Sequence, residues 1–254
     1  MKKIIKRVLI IVAIIIGVTV LAFGGIFLKL NHEMSGFSPM ETGKILDNIF
    51  VVKDGFANSF IIKDGTQYIV IDGGMDPKTT ELEFKKLDIN VDNVAFLFLT
   101  HTDSDHIGAS ALFSNAKLYV AKEELPMING ERTKFVRMFG NPKPRSDLIF
   151  LNDREVIQAG NLKVQGILAP GHTTGMMAFL VNDKYLFTGD ILSLINGKIA
   201  PISKFFDMDH TQAVESLEII RRIPIAEFIF TAHWGYIDNF QKAIALDQNV
   251  ITEK

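Results

Sequence analysis

Hydrophobic positions along the chain follow two different rhythms. From Val8 to Leu28, 21 residues pass without a charged side chain, and Thr19 is the one conventionally polar residue among them. At about 1.5 Å of rise per residue, a helix of this length crosses a bilayer core of about 30 Å. A buried core helix would show a polar face or a shorter run, so residues 1–30 are predicted to be a basic flank followed by a transmembrane helix. Residues 31–43 (NHEMSGFSPMETG) have no hydrophobic period and are expected to form a linker. From Lys44 the rhythm shortens to β-type runs, and 44–254 is expected to be one domain.

In that domain Asn48–Val52, Ser59–Ile62 and Gln67–Ile71 are divided by Asp54-Gly55 and Asp64-Gly65, which are hairpin-turn dipeptides. The third run ends in Asp72-Gly73-Gly74, and Pro77 then opens a helix to about Leu87. Val94–Leu99 is continuously apolar, as in a strand covered on both faces. A helix is expected from about His106 to Phe113, then a strand at Lys117–Val120. Further strands are predicted at Leu162–Leu168, Met177–Val181, Tyr185–Thr188 and Phe228–Phe230. Helices fit about Asp209 to Arg222 and about Asp238 to Val250. Strands come first and then alternate with helices, which indicates two packed sheets with helices outside.

Charge refines the picture at the N-terminus. Lys2, Lys3, Lys6 and Arg7 precede the apolar run, and Lys29 alone follows it closely. Positive flanks stay on the cytoplasmic side, so the large domain is expected outside. A signal peptide is the alternative. Its apolar region is usually about 7–15 residues, shorter than this run, although Ala22-Phe23-Gly24 offers a small-x-small cleavage site that would release a secreted domain. Without its first four basic residues the chain carries 23 basic against 29 acidic groups. That sign opposes a nucleic-acid partner, whose phosphates demand positive charge. There is no cysteine, so a metal site must use histidine and carboxylate, and a thiol nucleophile is excluded.

Candidate chemistry is concentrated in His101-Thr102-Asp103-Ser104-Asp105-His106, where four possible metal ligands occupy six residues after a buried strand. Helix capping would explain one aspartate and neither histidine. His172 in Pro170-Gly171-His172-Thr173, Asp190 closing Phe187-Thr188-Gly189-Asp190, and His233 in Thr231-Ala232-His233-Trp234-Gly235 also follow predicted strands. His210 reads as a surface residue or helix cap, and His32 is given no role.

The order HxDxDH, PGHT, TGD, AHWG resembles the metallo-β-lactamase superfamily from about Asn48 to the C-terminus. Ile71-Asp72-Gly73-Gly74 resembles that family's early Asp-Gly turn. The family pattern usually begins HxHxDH, so Asp103 stands where a histidine is usual. The resemblance implies an α+β fold, an αββα four-layer sandwich with a dinuclear site at one edge. It implies two divalent ions, zinc first with manganese or iron as alternatives. One ion would be held by His101, Asp103 and His172, the other by Asp105, His106 and His233, with Asp190 bridging. Asp72 and Thr173 would orient imidazoles.

The activity so implied is hydrolysis by a metal-bound hydroxide, with Asp105 or a nearby carboxylate steering the proton, on a small ester, lactone or thioester. HxDxDH also resembles DNA-uptake proteins and choline-phosphate esterases, which keeps a phosphodiesterase or nuclease-like enzyme as an alternative. A non-catalytic metal-binding surface module is the third. The insert Asn129–Asp147 carries Arg132, Lys134, Arg137, Lys143 and Arg145, suited to an anionic substrate or lipid, or simply a solvated segment. Protease added to intact cells is expected to digest the domain, and a domain left whole would place it on the cytoplasmic side.

Overall fold

The computed structural model describes residues 2–134, 145–195, 197–223 and 226–240. The N-terminal apolar run is helical from Lys2 to Met34 (α1). Its richest 18-residue window has a mean hydropathy of 2.9, long and apolar enough to cross a membrane. A separate compact unit begins at Ser38. Its first residues are tied into it: Ser38 N donates to His233 O at 2.7 Å, Met40 N to Asn58 Oδ1 at 3.0 Å, and Lys53 N to Thr42 Oγ1 at 3.0 Å.

The first sheet takes seven strands in chain order: β1 (Gly43–Lys44), β2 (Ile49–Asp54), β3 (Ala57–Asp64), β4 (Gln67–Ile71), β5 (Val94–Phe98), β6 (Lys117–Ala121) and β7 (Leu148–Leu151). Neighbours are antiparallel up to β4 and parallel from β4 to β7. Between β4 and β5 lies α2 (Pro77–Lys86), capped by Asp76, whose carboxylate accepts from Thr79 N at 2.8 Å. Proline at the first helical position and aspartate at the cap satisfy the local start rules.

The second sheet uses β8 (Val156–Ala159), β9 (Leu162–Leu168), β10 (Met177–Val181) and β11 (Tyr185–Phe187). A separate hairpin follows, β12 (Leu192–Ile195) with β13 (Lys198–Pro201), and the sheet then resumes with β14 (Phe228–Thr231) and β15 (Gly235–Ile237). Its spatial order is β15-β14-β11-β10-β9-β8. Strands β9 and β11 are both antiparallel to β10, and β14 is parallel to β11, so β9, β11 and β14 all run one way.

Side chains alternate across each pleat and so sort into layers. Phe60, Ile62, Ile69, Ile71 and Phe98 from the first sheet meet Val164, Phe179, Phe187 and Phe230 from the second. Phe187 stacks on Phe230 at 4.7 Å, and Phe60 packs at 5.4 and 5.3 Å from these two rings. Each buried phenyl of this kind contributes roughly 1.5–3 kcal/mol. The opposite faces are covered too. Ile61, Val70, Leu97 and Leu118 pack with Phe84 of α2, while Ile167, Ala178, Leu180 and Ile229 pack with Leu217 and Ile220 of α5 (His210–Arg221), the helix that comes after the short α4 (Leu125–Ile128). The result is helix, sheet, sheet, helix, the expected αββα order.

Two sequence expectations need correction. The helix expected from His106 to Phe113 is one short turn, α3 (Ser104–Ile107), followed by a 3-10 turn at Ser110–Leu112. His106 O accepts from Gly73 N at 2.5 Å, and Ala109 N donates to Gly74 O at 3.1 Å, so the turn after β4 captures groups a longer helix would use. Strands β7, β8, β12, β13 and β15 carry no strong alternation and were not anticipated. Most of the helix expected from Asp238 to Val250 lies outside the described residues.

Candidate metal centre

Sheet direction explains why distant motifs meet. Asp72, His101 and Glu124 follow the parallel strands β4, β5 and β6, while His172, Asp190 and His233 follow the co-directional β9, β11 and β14. Asp72 is buried. It turns the chain at φ 63°, a left-handed conformation costing of order 1 kcal/mol for a residue with a side chain. Its carboxylate accepts from Thr100 N at 2.8 Å and Thr100 Oγ1 at 2.9 Å, and lies 2.9 Å from His106 Nδ1.

The structure brings all seven expected ligands together. His172 Nε2 lies 3.3 Å from both Asp103 Oδ2 and Asp190 Oδ2, and His101 Nε2 lies 3.4 Å from Asp103 Oδ2. On the other side, His106 Nε2 is 3.3 Å from Asp105 Oδ2 and 3.5 Å from Asp190 Oδ1, and His233 Nε2 is 3.1 Å from Asp190 Oδ1. Asp190 therefore turns one oxygen to each group. Donor atoms about 2.1 Å from a tetrahedral ion stand about 3.4 Å apart, and these spacings match that edge. His101 Nε2, His106 Nε2 and Asp190 Oδ1 are buried without a hydrogen-bond partner among the described residues. Polar atoms aimed inward and unpaired are costly in a protein interior unless something binds them. Two groups fit a metal ion: Asp105, His106, Asp190 and His233; and His101, His172 and Asp190.

Holding contacts fix the imidazoles. A carboxylate or carbonyl oxygen only accepts, so His106 Nδ1 donates to Asp72 and His233 Nδ1 donates to Phe56 O at 2.7 Å. Both rings thereby keep Nε2 for the centre. His101 Nδ1 is 3.0 Å from Thr100 Oγ1. Thr173, expected to orient His172, instead donates to Glu124 Oε2 at 2.9 Å. Asp207 faces His172 instead, its Oδ1 3.4 Å from His172 Nδ1 without a hydrogen bond, while its Oδ2 lies 2.6 Å from His210 Nδ1. His210 is thus half-buried beside the centre rather than a plain surface residue.

Glu124 is a holding residue that no motif announces. One oxygen accepts from Thr102 N at 3.0 Å and Thr102 Oγ1 at 2.8 Å; the other accepts from Thr173 Oγ1 and from Gly175 N at 2.8 Å. Fully buried, it staples the His101–His106 loop to the His172 loop. Two glycines are equally structural. Gly171 has φ 135°, and a Cβ there would lie 2.2 Å from Ala213 N of α5; at Gly189, φ 51°, it would lie 2.5 Å from Thr100 Oγ1. The motifs PGHT and TGD need glycine for those close approaches.

Electrostatics follow from burial among like and unlike charges. Burial, with His106 beside it, pushes the His101 imidazole below its ordinary range. His106 is raised well above its ordinary value: burial works against the charge, but Asp105, Asp72 and Asp190 outweigh it. His233 is raised in the same way, burial being overcome chiefly by Asp190. Burial would raise Asp190, yet His233 and His106 hold it well below the carboxylate range.

From the basic insert, Lys134 reaches the centre: its ammonium bonds Asp103 Oδ2 and lies 2.5 Å from His172 Nε2. Arg145 instead binds Asp147 and the carbonyls of Phe113 and Ala116, a structural clip. Arg132 is exposed. Phe135, Arg137, Met138, Phe139 and Lys143 lie outside the described residues.

Comparison with known proteins agrees with this geometry. The family profile described as Metallo-beta-lactamase superfamily matches residues 52–233. A Bacillus subtilis protein named as a polyketide biosynthesis zinc-dependent hydrolase is 29% identical over 137 residues, covering 52% of this chain and 53% of the relative. A hydroxyacylglutathione hydrolase of Shewanella baltica is 26% identical over 178 residues, covering 69% and 61%. The chain thus spans between half and two thirds of the length of these curated relatives. Among solved structures, a metallo-beta-lactamase family protein from Thermus thermophilus superposes with a TM-score of 0.61 at 18% identity, covering 79% of this chain and 78% of that one. A superfamily protein from Sulfolobus tokodaii gives 0.61 at 20%, covering 83% and 88%.

Two predictions follow from the holding contacts and the charges. Glu124→Ala removes no ligand yet should weaken metal affinity by about 10–100-fold, measured by competition with a chromophoric chelator. An unchanged affinity would mean that the two loops hold their geometry without the staple. For metal-free protein, His106 and His233 titrate above the ordinary value of 6.5. The stability they add is complete below about pH 6.5 and is lost as pH rises through their folded values. The urea midpoint of chelated protein should therefore fall from pH 6.5 upward, and a flat or rising midpoint would contradict the assignment.

Proposed function

The chain belongs to the metallo-beta-lactamase superfamily, and on that footing we propose that it is a membrane-anchored, metal-dependent hydrolase of a small ester, lactone or thioester. The observation that carries this reading is the inward set of unpaired donors around Asp190, spaced for metal coordination on both sides. The hydrolase names of the curated relatives support the reaction type. The long apolar helix α1 and its basic flank support the anchor, with the domain outside the cytoplasm.

His101, Asp103, His172 and Asp190 would hold one divalent ion; Asp105, His106, His233 and Asp190 would hold the other. Zinc suits histidine and carboxylate donors, and the extra carboxylate at Asp103 also suits harder ions such as manganese or iron. Ions bound there would supply Lewis acidity toward a carbonyl oxygen and acidify a coordinated water. The chain's own residues do the rest. Asp72 and the Phe56 carbonyl keep His106 and His233 in the tautomer that presents Nε2. Asp105 lies 3.3 Å from His106 Nε2 and 3.6 Å from His233 Nε2, with 13% of its side chain exposed. It is the carboxylate placed to accept a proton during attack and return it to the leaving group.

A phosphodiesterase is the second reading, favoured by the Lys134 ammonium beside Asp103, a fixed positive charge for an anionic group. The acidic balance of the domain weighs against a nucleic-acid substrate.

Full-length protein in detergent should bind divalent metal and turn over a lactone or thioester panel. That turnover should be abolished by chelator and lowered at least ~100-fold in Asp105→Ala. Activity on a bis-aryl phosphodiester instead would select the second reading. No metal uptake and no turnover on either panel would leave a non-catalytic surface module.

A further inference from the structure

We propose that the Lys134 ammonium is the resident cation of the His101–Asp103–His172 half of the centre. The chain then keeps one tightly bound divalent ion, in the Asp105–His106–Asp190–His233 half, and admits a second only when Lys134 withdraws. This inference rests on the metal-centre reading above and specifies its stoichiometry.

Position is the first support. A metal in the first half would draw on His101 Nε2, His172 Nε2, Asp103 Oδ2 and Asp190 Oδ2. Lys134 Nζ already bonds Asp103 Oδ2 and stands 2.5 Å from His172 Nε2, with only 11% of its side chain exposed. Zinc would need to lie about 2.0–2.2 Å from those same two atoms. The ammonium and the ion would therefore claim one volume, and as like charges in a poorly solvated place they exclude each other.

Charge is the second. Asp103, Asp105 and Asp190 bring three negative charges to the centre. One divalent ion and one ammonium balance the three carboxylates that offer ligand oxygens, while Asp72 and Asp207 lie behind the imidazoles, against His106 and against His172 and His210. The other half has no such intruder. Among the described residues, no lysine or arginine nitrogen lies within ion-pair distance of Asp105 or Asp190.

Residue type is the third. Asp103 stands in the middle of HxDxDH and is the partner that makes a buried ammonium tolerable, because a neutral imidazole would give Lys134 no countercharge. Asp103 and Lys134 are complementary: the carboxylate invites the ammonium, and the ammonium fills the half that the carboxylate belongs to.

The test is stoichiometric and needs no substrate. Metal-free full-length protein in detergent is titrated with zinc, and with cobalt to read coordination from its visible spectrum, in wild type, Lys134→Met and Lys134→Arg. Wild type should bind one equivalent tightly, with the second weaker by about 100-fold, the upper range of ordinary coupling between sites. Lys134→Met should tighten the second equivalent by that factor and leave the first unchanged, while Lys134→Arg should stay like wild type. Two wild-type sites within tenfold of each other would overturn the proposal and leave the metal-centre reading intact, whether or not the variants fold. An unchanged second affinity in a folded Lys134→Met protein would overturn it too. No zinc uptake in wild type or Lys134→Met would instead overturn the metal-centre reading itself, and this inference with it.

Discussion

Three carboxylates packed among four imidazoles at a largely buried edge form the constraint on which the rest of this fold depends. Asp103, Asp105 and Asp190 cannot stay ionised there without cations beside them, and histidine protons supply that charge in part when nothing else does. The sandwich makes such a cluster possible by ending six strands with a common sense within each sheet. Its aromatic centre, with Phe60, Phe187 and Phe230 in mutual contact, keeps the two sheets in register so that those ends stay opposed.

Between that rigid interior and the ligands lies a thin layer of groups that only hold. Asp72 fixes Thr100 and His106, Glu124 joins two loops, Asp207 faces His172, and the Phe56 carbonyl orients His233. Each comes from a different element, and none reaches the ions it would serve. A site built this way has its geometry determined in advance, and its donors would need little rearrangement to meet an ion.

Much of this was legible in the residues alone, and the reason differs between elements. Strands β4, β9 and β10 coincide with the runs read from alternation or continuous apolarity, because their burial is set by side chains within each segment. The convergence of the candidate ligands was legible because their histidines and aspartates stand in short spacings beside glycine, at the ends of strands. Glu124 and Asp207 were not, since a carboxylate that staples loops has no local signature. Its partners, Thr102, Thr173 and Gly175, are distant in sequence. The reach of Lys134 was hidden for the same reason, inside an insert whose charges read equally well as a solvated face. The short α3 shows tertiary hydrogen bonds overriding a helical pattern, because the turn after β4 competes for the same carbonyl.

The hydrogen bond from Ser38 N to the carbonyl of His233 bears on where the chain could be cut between α1 and the domain. Cleavage before Ser38 would keep this bond together with those made by Met40 and Thr42. A cut between Met40 and Thr42 would strip Ser38, the brace behind His233, and Met40, whose amide donates to Asn58. A cut that leaves this first edge of the domain whole is therefore confined to the few residues between Met34 and Ser38.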